Sequence, residues 1–480
     1  MLAGVERLAP TRCWKSRNLQ RQKVVRGLVN VKFKTVIGRL VGLRRNAALR
    51  GMAWVFVLRA ATTILNFVLI TLAARTLGNG VFGTYSILFS AAGLFCVVAT
   101  FGQQIVSMRS WSEYSSAGQH RLLKGAMIFS GVACLAGSAL VAVPFYAWLA
   151  LTHDGLLAAS VTFYLVTLSI VLTTSHLVRT AIGVGIGDGI SNLLLVVPPI
   201  AYLACCILFR TGAEIGTIFL TMAAGATAAI VIHVVSMWRG AHARFPGIAR
   251  SQTIYDTRRW LARSLKLWLS NGLEASNQYA DVLIIGFLMS PTVAGAYFVT
   301  TRIANAFAMA TGAIYMFSTR HIPQLYYRRQ FGQLNALLDS VAGVTLAIIA
   351  GGLLLILGGG PWLLKAFSQD YVSYYHALAL LSLGTAAVAA AGPSGSILML
   401  TGHEGRYLSI IGGTVLLRCV GFFILIPIFG VGGAVAATTV SFVWMAIMLR
   451  SSAVNLTGID GSVLRLWTRL LGHRVSMPAE

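Results

Sequence analysis

The strongest constraint on this chain is a succession of apolar segments between Gly51 and Arg450. About twenty apolar residues let a helix cross the hydrocarbon core of a bilayer, and a helix satisfies its backbone hydrogen bonds without water. Hydrophobic residues make up 57% of the sequence and charged residues only 11%. The sequence therefore predicts an all-α membrane protein with about twelve transmembrane helices.

The predicted spans form two sets separated by a basic loop. The first set is expected at 52–74, 84–107, 122–149, 156–175, 188–209 and 215–238. The second is expected at 267–289, 294–317, 341–357, 374–400, 408–429 and 432–449. The predicted regions are a basic N-terminal segment (1–50), an N-terminal lobe (51–238), a linker (239–266), a C-terminal lobe (267–450) and a C-terminal tail (451–480).

Basic residues indicate the orientation, because loops rich in Lys and Arg stay in the cytoplasm. Most of the 38 Lys and Arg lie in loops on the side of the N-terminus, whereas the opposite side carries Arg75, Arg210 and Lys365. Both termini are therefore predicted to be cytoplasmic. This bias, together with anionic membrane lipids as partners, accounts for the net charge of +25, so no nucleic acid is expected.

Residues 1–50 have no apolar core followed by a cleavage site, so they do not resemble a signal peptide. Apolar residues between Val25 and Leu43 can share one helical face, which predicts a helix on the membrane surface. A flexible basic tail is the alternative.

The two sets of spans share a short sequence match. Val81–Tyr85 and Val293–Tyr297 both contain Gly-x-Tyr at the entry to the next helix. Gly83 and Gly295 are each expected to close a tight outer hairpin. With an even number of spans in each set, the halves would be related by an axis along the membrane normal.

Polar residues on the seventh span are the first candidates for function. Asn271, Glu274, Gln278 and Asp281 recur at spacings of three and four, so they share one helical face. Polar groups at membrane depth normally face a bundle interior or a cavity. The face is either a packed polar seam or the wall of a water-filled central cavity, and Glu274 or Asp281 could then bind and release a proton or cation.

Arginines at membrane depth are the second candidates. Arg59 shares a face of the first span with Asn66, Arg302 is near Asn305 in the eighth span, and Arg418 is midway along the eleventh. The planar guanidinium fork suits phosphate and pyrophosphate oxygens. Alternatively, Arg59 could extend to the headgroups, and any of the three could pair with a carboxylate.

Other motifs exclude several classes of protein. No metal-ligand spacing is visible, and neither a metal nor another cofactor is expected. The alternating glycines at 183–189 follow no strand, so they predict close packing or a helix break rather than a nucleotide site. There is no large soluble domain with paired carboxylates, which argues against an enzyme such as a membrane glycosyltransferase.

Several stretches together resemble the Wzx-type polysaccharide-unit flippases. They are, in chain order, Leu72–Gly78, Phe82–Tyr85, Asp281 with Gly286, Val293–Tyr297, Pro323 and Ile426–Ala436. That family belongs to the multidrug/oligosaccharidyl-lipid/polysaccharide (MOP) exporter superfamily. The resemblance implies two six-helix lobes around a cationic central cavity, as in MATE transporters. Arg418 departs from the pattern, since that helix is mostly apolar in the family.

The resemblance also implies a function, which is to flip an undecaprenyl-pyrophosphate-linked oligosaccharide to the outer leaflet of the bacterial inner membrane by alternating access. A polysaccharide polymerase and glycosyltransferases are candidate partners. The substrate-binding residues would be Arg59, Asn66, Asn271, Gln278, Arg302, Asn305 and Arg418. The coupling residues would be Glu274 and Asp281. The alternatives are a cation-coupled exporter of small amphipathic compounds and a scaffolding subunit of a polysaccharide assembly complex.

Overall fold

The computed structural model describes residues 47–245 and 251–470, which are almost entirely helical. Side chains are described from Val57 onward, apart from Arg59, a few positions between 307 and 327, and the last three residues. Backbone contacts divide the chain into the units Met1–Ala60 and Ala61–Glu480. The predicted surface helix between Val25 and Leu43 lies outside the described residues.

The helices follow the predicted spans closely. The first half contains α1 (Ala47–Leu77), α2 (Asn79–Ala99), α3 (Gln103–Ser116), α4 (His120–Thr152), α5 (Gly155–Ala181), α6 (Ser191–Phe209) and α7 (Ile215–Arg244). The second half contains α8 (Thr257–Leu288), α9 (Pro291–Ala304), α10 (Ala306–Tyr327), α11 (Phe331–Lys365), α12 (Tyr375–Ala390), α13 (Ser394–Leu400), α14 (Glu404–Phe429), α15 (Val431–Thr457) and α16 (Leu464–Leu470). A π-helix (Gly185–Ile190) precedes α6, and a 3-10 helix (Gln369–Tyr374) precedes α12.

Ten helical segments among the described residues are long and apolar enough to cross a membrane. The helix α8, with 32 residues, is also long enough, but its polar stripe makes it less apolar than the others. The eighth crossing is divided between α9 and α10. Together these helices give the predicted multi-pass, all-α architecture.

The second predicted span is not one helix. It ends at Ala99, because Phe101 and Gly102 have φ values of 51° and 74°. This left-handed backbone cannot continue a right-handed helix, so α3 starts anew at Gln103. The expected helix at 84–107 was therefore too long.

The matching glycines of the two halves touch each other. A Cβ atom on Gly83 would lie 1.9 Å from the Pro291 carbonyl oxygen, and one on Gly295 would lie 2.9 Å from the Gly83 Cα. Both glycines lie inside helices, so the prediction that they close hairpins is wrong. Gly78, with φ 72°, precedes α2 instead. The missing side chains let α2 and α9 pack backbone to backbone.

Aromatic packing closes the same end of the bundle, which we call the hairpin end (residues 75–84 and 289–297). The Phe82 ring lies 6.4 Å from the rings of Phe298 and Tyr371, measured between centroids. Polar contacts here are Arg75 Nε to the Ala366 carbonyl at 2.7 Å and Asn79 Nδ2 to the Asp370 carboxylate. The first and second halves of the chain are therefore joined at the hairpin end.

The opposite end, which we call the basic end (residues 103–124 and 251–266), joins the halves through α3 and α8. The Trp260 indole N–H donates to the Tyr114 hydroxyl at 2.9 Å. The Gln103 amide donates to Ser264 Oγ at 2.7 Å. The helix α8 begins at Thr257, after the N-cap Asp256, so it starts well before the predicted start of the seventh span.

The described part of the predicted C-terminal tail, residues 451–470, packs against the bundle. The helix α15 runs to Thr457, and Arg450 Nη2 then donates to Asp460 Oδ2 at 2.9 Å. Burial favours a raised pKa for Asp460, but hydrogen bonds from Arg450 and Ser462 outweigh it and hold this pKa below its ordinary value. The carboxylate therefore stays charged at neutral pH and anchors the segment.

Candidate functional site

The polar stripe lies on α8, and its members have different surroundings. Asp281 is 9% exposed, whereas Glu274 and Gln278 are exposed. Asn271 is half-buried, and within the described part of the chain its Nδ2 has no hydrogen-bond partner. The stripe is thus a packed seam around Asp281 and an uncovered polar surface around Glu274. The packed-seam interpretation describes Asp281, and the cavity-wall interpretation stays a prediction for Glu274 and Gln278.

The packed part is an ion pair between α8 and α14. Arg418 is 2% exposed, and its Nη1 lies 2.8 Å from both carboxylate oxygens of Asp281. The guanidinium also donates to the carbonyl and side-chain oxygens of Asn277 and lies 4.9 Å from the centre of the Phe442 ring. Buried charges need such partners. In this conformation Arg418 faces Asp281, and its contact with substrate stays a prediction.

Asp281 also connects to α9 and α15. The Tyr297 hydroxyl donates to Asp281 Oδ2 at 3.4 Å and shares a 2.8 Å hydrogen bond with Thr438 Oγ1. One carboxylate therefore ties together helices α8, α9, α14 and α15. A change in its charge would alter hydrogen bonds that reach all four helices, and its role in coupling stays a prediction.

Glu274 is the uncovered carboxylate of the stripe. It lies about 21 Å from the hairpin end of α8, counted at 1.5 Å per residue. The Tyr407 hydroxyl donates to its Oε1 at 3.4 Å. A carboxylate facing lipid at this depth would be costly, so the exposure of Glu274 favours the cavity-wall interpretation, which stays a prediction.

Arg302 lies at a similar depth, and no carboxylate among the described residues pairs with it. Its guanidinium carbon is 4.8 Å from the centre of the Phe298 ring and 5.9 Å from that of Tyr279. It is half-buried, and no residue of the described chain forms an ion pair or hydrogen bond with it. Cation–π contacts stabilise a guanidinium by about 0.5–2 kcal/mol without cancelling its charge. The positive charge of Arg302 is thus available to an anion.

The surroundings of Asn305, Asn66 and Arg59 say less about their predicted role in substrate binding. Asn305 follows Arg302 by less than one turn, between α9 and α10, and is half-buried. Asn66 is exposed on α1, where its Nδ2 donates to the Thr62 carbonyl at 2.8 Å. The side chain of Arg59 lies outside the described residues, so its role stays a prediction.

Three aromatic residues of this site had no signal in the sequence. Tyr279 and Phe298 provide the ring faces beneath Arg302, and Tyr407 provides the hydroxyl beside Glu274. In a chain this apolar, aromatic residues within spans are ordinary core positions. Which ring meets which charge depends on helix packing, and periodicity does not show that. Within the described residues, no group of His, Cys, Asp and Glu is placed to hold a metal ion.

Comparison with known sequences gives one family. The profile of the family described as polysaccharide biosynthesis protein matches residues 48–325, which is more than half of the chain. None of the curated proteins matches the chain by sequence.

Comparison with solved structures gives the fold. An inward-facing multidrug resistance MATE family transporter of the MOP superfamily aligns with a TM-score of 0.63 at 12% identity, covering 84% of this chain and 99% of that one. A MOP superfamily transporter from Pyrococcus furiosus Vc1 aligns with 0.59 at 13%, covering 90% and 99%. The lipid II flippase MurJ, inward closed, aligns with 0.58 at 14%, covering 83% and 87%. The predicted MOP fold is confirmed.

Proposed function

From the premise that this multi-pass membrane protein belongs to the polysaccharide biosynthesis protein family, we propose that it is a flippase. Its substrate would be an undecaprenyl-pyrophosphate-linked oligosaccharide, moved from the cytoplasmic to the outer leaflet of a bacterial inner membrane. The solved structures that share its fold are transporters and a flippase, so the protein would perform no covalent chemistry.

The observation that carries the proposal is the unneutralised charge of Arg302. A lone guanidinium near mid-membrane is costly unless an anion or water meets it. The planar fork binds two phosphate oxygens at once, and the Phe298 and Tyr279 rings hold the fork in place. A pyrophosphate group crossing the membrane would supply both the negative charge and the paired oxygens that this guanidinium fork can bind.

The other predicted residues would then have separate roles in substrate binding and coupling. Arg59 stays a pyrophosphate ligand predicted from the sequence. Hydrogen bonds to sugar hydroxyls would come from Asn66, Asn271, Gln278 and Asn305. Glu274 would bind and release a proton or cation. The pair of Asp281 and Arg418 would respond to that change, with Arg418 reaching substrate only when the pair opens.

The proposed orientation places both termini in the cytoplasm and the hairpin end outside. The contacts of Phe82 with Phe298 and Tyr371 would then close the outer side of the cavity. Alternating access would require the helices at the hairpin end to separate while the helices at the basic end move closer together.

A second candidate, a cation-coupled exporter of small amphipathic compounds, is favoured by one observation. The uncovered carboxylate of Glu274 beside the Tyr407 hydroxyl would suit an organic cation. The unneutralised Arg302 would repel the same cation, which is why we prefer the flippase.

Deletion of the gene separates the candidates. A flippase predicts that lipid-linked oligosaccharide accumulates on the inner leaflet while polysaccharide outside the cell is lost, and that the intact gene restores export. Unchanged polysaccharide together with greater sensitivity to amphipathic cations would favour the exporter. Loss of the lipid-linked oligosaccharide itself would indicate a scaffold for the enzymes that make it.

A further inference from the structure

A cavity at the basic end lies apart from the central site. Helices α3, α5 and α8 border it, and its volume of about 630 Å³ falls in the range of small-molecule sites. Its lining residues are Met108, Arg109, Ser112, Glu113, Thr180 and Arg263. The lining residues of α3 fall one turn apart, so a single face of α3 forms one wall.

The charged groups around this cavity carry a net positive charge. The two oxygens of the Glu113 carboxylate are bound by Arg263 Nη1 at 2.7 Å and Arg259 Nη2 at 3.0 Å. The hydrogen bond from Arg263 holds the pKa of Glu113 below its ordinary value, so Glu113 is ionised at neutral pH. Two guanidinium groups therefore face one carboxylate. Arg109, by contrast, is exposed, and no residue of the described chain binds its guanidinium.

A further guanidinium lies behind the lining. Arg179 Nη2 is 3.9 Å from Met108 Sδ, and Arg179 Nη1 is 3.2 Å from the carboxylate of Asp188. This pair is internally neutral, so it does not offset the excess. The positive charge of the cavity thus comes from Arg109 and from the surplus of Arg259 and Arg263 over Glu113.

Two hydroxyl groups complete the wall. Ser112 Oγ donates to the Met108 carbonyl at 3.1 Å, and Thr180 Oγ1 donates to the His176 carbonyl at 3.1 Å. Both side chains are exposed, and a hydroxyl can rotate to donate to an anion instead. The cavity therefore combines a free guanidinium with neutral donors.

We propose that this cavity binds the phosphate or diphosphate group of a lipid headgroup. Thr180 is in the last turn of α5 and Arg263 is in the second turn of α8, which places the cavity where helices leave the membrane. An acidic phospholipid and a polyprenyl diphosphate share this chemistry. Binding of a headgroup here requires no transport and can be measured on the protein in detergent.

The test uses the full chain in detergent and measures binding by native mass spectrometry. The probes are farnesyl diphosphate and a phosphatidylglycerol, with phosphatidylcholine as the neutral reference. Arg109→Gln removes the free guanidinium of the cavity. Arg258→Gln is the matched control, because Arg258 is an exposed arginine of the basic end that does not line the cavity.

We expect Arg109→Gln to weaken binding of the preferred anionic probe about tenfold, the effect of losing one charge-assisted contact. Arg258→Gln should leave it within about twofold. The probe that binds more tightly identifies the source of the phosphate. Equal weakening by both variants would mean general attraction to a basic surface and would overturn the site. So would binding that is lost in Arg302→Ala but unchanged in Arg109→Gln, because the central cavity would then hold the probe.

Discussion

Arg302 and Arg418 lie at similar depths and have opposite surroundings. Each is about 17 Å from the hairpin end of its helix, counted at 1.5 Å per residue. Arg418 is buried against Asp281, whereas Arg302 lies over aromatic rings and has no carboxylate partner in the described part of the chain. The first arrangement joins α8 to α14, and the second would leave a charge for a ligand. Arginine thus has a structural role in α14, as Arg418, and a proposed binding role in α9, as Arg302.

The pair of Asp281 and Arg418 gives a prediction about stability. Asp281→Asn leaves the Arg418 guanidinium buried without a counter-ion and should lower the free energy of unfolding by about 3–5 kcal/mol. Replacing both residues, as Asp281→Leu with Arg418→Met, should recover much of that loss. Equilibrium unfolding in mixed detergents measures each variant.

Glu274→Gln is the control for this cycle, since Glu274 is an exposed carboxylate on the same helix. It should change the stability by less than about 1 kcal/mol. If the double variant loses as much as the sum of its two single variants, the residues do not act as a pair.

The sequence predicted these side chains as a group but could not assign their partners. The spacing of Asn271, Glu274, Gln278 and Asp281 correctly put them on one face of α8, because helical periodicity is a local property. The pairing of Asp281 with Arg418 depends on how α8 and α14 pack, and residues so far apart in sequence have no local pattern that links them.

At the scale of helices, the duplicated Gly-x-Tyr motif has a role that the sequence indicated only in part. The match between the halves singled out Gly83 and Gly295, and the structure brings these two glycines into contact. Their contact with each other follows from the crossing of α2 and α9, which periodicity cannot reveal. The breaks in the second and eighth spans were missed because an apolar run shows the length of a crossing but not a local change of backbone, such as the positive φ of Phe101.

This crossing gives a prediction about packing. Gly83→Ala places a methyl group against the Pro291 carbonyl, a backbone atom that cannot move aside, and should cost about 1–3 kcal/mol of stability. Gly131→Ala is the matched control, because a Cβ there meets open space within the helix α4. That change should be neutral or stabilising by up to about 1 kcal/mol. Thermal unfolding in detergent compares the two, and equal effects would refute close packing at Gly83.

At the scale of the whole molecule, the apolar spans and the order of the motifs were sufficient to predict the MOP fold. Apolar length is a strong signal because the bilayer forces each crossing to be a helix. The proposed orientation rests on a different signal, the placement of Lys and Arg in alternate loops. It requires the basic end to face the cytoplasm and the hairpin end to face outward.

Labelling of single cysteines tests this orientation. Thr211 lies in the loop between α6 and α7, which the proposed orientation places outside. Gln119 lies at the basic end, and both residues are exposed. An impermeant thiol reagent added to intact cells should label Thr211→Cys and leave Gln119→Cys unlabelled until the membrane is opened. Labelling of Gln119→Cys in intact cells would reverse the topology.

Translocation in reconstituted liposomes tests the central claim most directly. The measurement is movement of an undecaprenyl-pyrophosphate-linked oligosaccharide between leaflets by the purified chain. With protein reconstituted in equal amount, Arg302→Ala should reduce the rate at least tenfold, on the order of one lost charge-assisted contact. Arg302→Lys should recover part of the rate, because an ammonium keeps the charge but lacks the fork. Arg258→Ala should move lipid at the normal rate. Normal translocation by Arg302→Ala would contradict the account.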